Sequence, residues 1–155
     1  MKNIDKLIIV SFLLLSSCSS VKAPISFEGQ WYSCRQTSYT TSQLILLTVR
    51  GSNFTEEVSQ FQNNSGCGGD PVSKATINGA IAFGDTGGSS NDPGGTDVTI
   101  TPNNSDPFGC GQSAPAYSYW RIQNNSGFWV GTNGYVCDPQ NKGQGLGDYY
   151  TKYHD

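Results

Sequence analysis

Beyond residue 26 the chain sets short apolar stretches between clusters of Asn, Gly, Asp and Ser, and this spacing predicts strands rather than helices. Gly29 to Gln36 is the first expected strand. Gln43 to Arg50 (QLILLTVR) is the most apolar segment and is expected to cross the core. Gly51-Ser52-Asn53 then reads as a turn, and Phe54 to Phe61 (FTEEVSQF) as the returning arm of a hairpin. That arm alternates imperfectly. Phe54 and Val58 share a face with Glu56 and Gln60, while Thr55, Glu57, Ser59 and Phe61 share the other, and a one-sided core asks for a cleaner separation.

Ala75 to Gly84 reads as one strand or a pair of short ones, with Asn78-Gly79 as a tight turn or a glycine bulge. Thr96 to Thr101 follows a long Gly/Ser/Asp loop. Ala116 to Gln123 and Phe128 to Thr132 flank Asn124-Asn125-Ser126-Gly127 as a second hairpin. From Lys142 onward the chain is Gly-rich and then aromatic, and either adds a last strand or packs across an open end. Asn-Asn-Ser recurs at 63–65, 103–105 and 124–126, where the same turn chemistry serves three connections, since Asn tolerates left-handed backbone. The pattern is that of an all-β domain, a sandwich or a barrel.

The first residues read differently. Lys2 and Lys6 precede the apolar run Leu7 to Leu15, which is far shorter than the ~20 residues that span a bilayer as a helix. Small residues and Cys18 follow, the order of an export signal. Leu15-Ser16-Ser17-Cys18 resembles the lipobox of bacterial lipoproteins. The resemblance implies removal of residues 1–17, diacylglyceryl and acyl chains on Cys18, and a tether over residues 18–26 before a barrel domain at 27–155. Two or more acyl chains make a firm membrane anchor. Ser19, in place of a retaining aspartate, implies the outer membrane where the cell has one.

Composition narrows the partners. The chain carries 12 acidic and 9 basic side chains, which gives no basic footprint for nucleic acid and no polybasic attraction to anionic lipid. Nineteen glycines and seven prolines fit a turn-rich fold. Besides Cys18 there are four cysteines, Cys34, Cys67, Cys110 and Cys137, with no close pair such as zinc sites use. In an exported protein they read as two disulfides. Three connectivities are possible. Cys34–Cys67 with Cys110–Cys137 is favoured because each bridge then joins neighbouring segments of a meander.

Gly29-Gln30-Trp31-Tyr32 looks like the G-x-W signature that opens lipocalins and related small barrels, in which the tryptophan plugs the closed end. The wider arrangement is similar to a group of poorly characterised envelope lipoproteins with lipocalin-like barrels. It comprises Trp31-x-x-Cys34, the hairpin Leu44 to Phe61, Cys67, the strand with Thr76-Ile77-Asn78-Gly79 and a late Tyr-rich hairpin. That resemblance implies a small antiparallel β-barrel built as a lipocalin-like meander, with Trp31 as its structural plug.

Catalytic signals are sparse. His154, the single histidine, stands one residue from the C-terminus, and there is no G-x-S-x-G elbow. Glu56 and Glu57 are adjacent on an expected strand and so point to opposite faces. Asp85 to Asp97 offers oxygen ligands at Asp85, Asn91, Asp92 and Asp97, but the spacing does not fit a calcium loop. No metal and no cofactor is expected. The aromatics are the binding resource: Tyr117, Tyr119 and Arg121 share one face of their strand, and Trp129 stands on the next. The expectation is a non-catalytic binding module for a small molecule or glycan. The alternative is a protein-interaction or inhibitor domain acting through its loops, and a hydrolase comes last.

Overall fold

The computed structural model describes residues 27–86, 95–123, 126–143 and 145–153. They form eight strands: β1 (Gly29–Ser38), β2 (Thr41–Arg50), β3 (Asn53–Gln62), β4 (Ser73–Thr86), β5 (Gly95–Pro102), β6 (Ala116–Gln123), β7 (Gly127–Gly131) and β8 (Leu146–Lys152). Every strand is antiparallel to its sequence neighbour, and β8 returns to β1 through Trp31↔Lys152 and Tyr32↔Thr151. The sheet is therefore a closed up-and-down barrel, which leaves no edge strand to pair with another chain. The Gly-rich, aromatic tail supplies the closing strand β8.

The hairpin between β2 and β3 turns on Gly51 and Ser52, with Arg50 opposite Asn53 and Gly51 in the left-handed region at φ 59. Asn63 and Asn104, from two of the three Asn-Asn-Ser copies, also adopt left-handed backbone, at φ 56 and φ 51. Asn78-Gly79 is neither a turn nor a bulge. β4 runs through it unbroken, with Gly79 opposite Phe54 on one side and Pro102 on the other. Glycine is needed there for another reason: a Cβ would stand 2.7 Å from Phe54 Cε1 and overlap the Thr101 carbonyl.

The barrel is packed solid at the end where the chain enters. Phe27 lies in its centre, stacked on Phe83 at 5.1 Å and edge-on to Trp120 and Phe128 at 5.5 Å each. Trp31, 2% exposed, donates its indole N–H to the Phe27 carbonyl at 2.9 Å and packs edge-on against Phe128. Leu47 and Val49 of β2, Val98 and Ile100 of β5 and Tyr150 of β8 complete this core.

Among the described residues three long connections lie at the opposite end, at 63–72, 103–115 and 132–145. Two disulfides hold them. Cys34–Cys67 ties the first to β1, and Cys110–Cys137 ties the second to the third. This is the pairing of neighbouring meander segments. Backbone hydrogen bonds between Tyr117 and Val136, at 2.7 and 2.9 Å, add a short bridge that lays the 132–145 connection along β6.

Candidate functional site

Glu56, the residue that spoils the alternation of β3, points into the barrel. It pairs with Leu47 on one side and Ile77 on the other and is 5% exposed. Its neighbour Glu57 faces solvent. Above Glu56 the interior opens into a cavity of about 410 Å³. Its wall combines Arg35, Gln43, Asp148 and Tyr150 with the apolar Ile45, Val58, Ile77 and Val130. Two long connections supply the roof, Pro107 and Phe108 from one and Asn133, Gly134 and Tyr135 from the other. The rings of Phe108 and Tyr135 meet at 4.6 Å, and Cys110–Cys137 clamps the two connections behind them.

The charges are layered. Nearer the solvent, Arg35 donates through Nη1 to Asp148 Oδ2 at 2.9 Å and through Nε to Gln43 Oε1 at 2.8 Å. Both partners of this ion pair are more than a third exposed. Glu56 sits deeper, and its Oε2 has no hydrogen-bond partner. Burial pushes its carboxyl up from 4.5 to about 7, against the opposing pull of Arg35. Burial also raises the Tyr135 and Tyr150 hydroxyls well above the usual tyrosine value, and the charge of Glu56 adds to both. Among the described residues four buried side-chain polar atoms lack a partner, and two of them, Glu56 Oε2 and the Tyr135 hydroxyl, belong to residues of this cavity. The other two, Ser118 Oγ and Trp120 Nε1, lie on β6 away from the cavity lining. Native interiors satisfy nearly all such groups, and at the cavity an added ligand could reach the unpaired ones.

The residues singled out in the sequence fall elsewhere. Trp31 is part of the packed end. Tyr117, Tyr119 and Arg121 do share the outer face of β6, but they do not form an exposed stripe. Tyr117 is half-buried beside the Val136 bridge, and Tyr119 is 3% exposed, its ring lying against Gly95 where a Cβ would overlap it. Arg121 is exposed and stands opposite Trp129 across β6 and β7. Trp129 donates its indole N–H to Gln123 Oε1 at 2.9 Å and packs on Tyr149 at 4.7 Å. With Ile122, Gln123 and Leu146, Arg121 and Trp129 line a shallow outer depression. That depression shares no lining residue with the cavity.

The groups that build the cavity were visible in the sequence only through Glu56, as an acidic residue on an apolar face. Arg35 and Asp148 come together because the barrel closes, and no local pattern announces a pair so distant in the chain. Cys18, most of the Asp85 to Asp97 loop, Asn124, Asn125 and His154 lie outside the described residues. Asp97 itself is exposed and paired with Lys142 at 2.7 Å. Among the described residues no three His, Cys, Asp or Glu side chains cluster as metal ligands would. No protein-family model matches the chain, and neither curated proteins nor solved structures give a significant match.

Proposed function

We propose that the mature protein is a lipid-anchored, non-catalytic binding barrel of lipocalin-like type in the bacterial envelope, holding a small molecule at its open end. The cavity carries this reading. A space of about 410 Å³ whose wall is shared between apolar and polar side chains, with charged groups converging on it and a perturbed carboxyl at its base, has the size and chemistry of a small-molecule site. The lipobox-like Leu15 to Cys18 and the two disulfides support an exported, anchored location, and Ser19 favours the outer membrane.

Two experiments test the two halves of the proposal. Cys18→Ala is expected to release the protein from membranes and remove the acyl mass; continued membrane fractionation would overturn the anchor. A broad fragment screen read by NMR on the disulfide-bonded domain is expected to find occupants that shift Tyr135 and Tyr150. If no fragment moves those resonances, the cavity is not a binding site. The outer depression at Arg121 and Trp129 is then the surface to test for a glycan or protein partner.

One observation favours a hydrolase as the second reading, since Glu56 and Asp148 line the same cavity and a carboxyl held near 7 is the condition of a general acid. Asp148 is already engaged by Arg35, which weakens it as a partner. Turnover of aryl glycosides, abolished by Glu56→Gln, would establish that reading over the first.

A further inference from the structure

We propose that the ligand of this cavity is a small organic ammonium ion, its cationic head paired with Glu56 and its apolar body laid against Phe108, Tyr135 and Tyr150. The inference rests on the binding reading above and names the class of ligand.

The charge balance of the cavity leads to it. Arg35 is matched by Asp148 at 2.9 Å, so among the described residues lining the cavity the ionised Glu56 is the one charge without an ion-pair partner. A carboxylate buried to that depth is costly until a cation and a hydrogen-bond donor reach it. An ammonium group brings both, donating to the unpartnered Oε2.

The aromatic rings suit the same guest. Phe108 and Tyr135 form the roof and Tyr150 the wall, and ring faces attract a desolvated cation. Other classes fit less well. An anion would meet Glu56 and would depend on an Arg35 already engaged by Asp148 and Gln43. A wholly apolar guest would leave Oε2 and the Tyr135 hydroxyl, both already buried, still without partners. The roof limits size, because its two connections are joined by Cys110–Cys137 and the partly open space beneath them is about 410 Å³.

Three probes of one shape but different charge test the class: benzylammonium, benzyl alcohol and benzoate. Each is titrated into the disulfide-bonded domain and followed at the Tyr135 and Tyr150 rings. At about pH 8 benzylammonium is expected to bind about tenfold or more tighter than the alcohol, with benzoate weakest. Glu56→Gln should remove that preference. Near pH 5.5 the preference should shrink as Glu56 takes up a proton, with Arg35, Asp148, Tyr135 and Tyr150 the charged or titratable groups that surround it.

Equal or tighter binding of the alcohol or benzoate would overturn the ammonium class, as would indifference to Glu56→Gln. If none of the three binds while the broad screen still finds occupants, the class falls and the binding barrel stands. If the screen is also empty, both fall.

Discussion

At the end of the barrel where the chain enters, Phe27, Trp31, Phe83, Trp120 and Phe128 interlock. The Trp31 N–H is satisfied by the Phe27 carbonyl, and among the described residues the Trp120 N–H is the one indole donor there without a partner. At the other end, the same strands enclose a space, an ion pair and a carboxylate without a donor. The two halves differ because one is filled by the chain's own rings and the other is left for something else. Stability is concentrated where packing is complete, whereas a site that receives a guest must leave groups unsatisfied and so subtracts from stability.

The largest perturbation breaks the packed end. Trp31→Ala removes a fully enclosed indole and is expected to cost ~3–5 kcal/mol in denaturant unfolding. A loss under about 1 kcal/mol would mean that the aromatic cluster is not the main source of stability. Next come the bridges. Replacing Cys110 and Cys137 by serine, or Cys34 and Cys67, should cost about 2–4 kcal/mol in either case. Only the first pair joins the roof loops, so only its loss should speed amide exchange over 103–115 and weaken cavity ligands. Identical effects of the two replacements on ligand affinity would remove the distinction between the bridges.

Glu56 sharpens the contrast through pH. Its carboxyl is raised from 4.5 to about 7 in the folded protein. Between those values the folded state holds a proton that the unfolded state has released, so stability falls as pH rises through the window. The integrated effect is on the order of 3 kcal/mol. Glu56→Gln should therefore flatten the melting temperature between about pH 4.5 and 7 and raise it above that range. An unchanged pH profile would show that Glu56 is not desolvated. The smallest effect belongs to Arg35→Met, since an ion pair this exposed contributes at most about 1 kcal/mol. Its signature is electrostatic: loss of the cation should move the Glu56 titration further upward, as read from its carboxyl carbon by NMR.

The sequence determined much of this protein locally. Alternation and turn residues placed seven strands with ends shifted by only a few residues, because period-two patterning and left-handed Asn or Gly act over a handful of neighbours. Of three possible disulfide pairings, the one favoured for a meander is the one formed. Gly79 was misread, since a glycine that makes room for Phe54 across the sheet looks locally like a turn. Tyr119 was placed on the correct face but not at the correct depth, for its cover comes from Gly95 on β5. Only the tertiary structure decided that the barrel closes through β8. Closure joins Arg35 to Asp148, sets Glu56 beneath that pair and lowers Phe108 and Tyr135 over both. Contacts between residues so far apart in the chain depend on shear, closure and loop path, and these are properties of the whole sheet rather than of any segment.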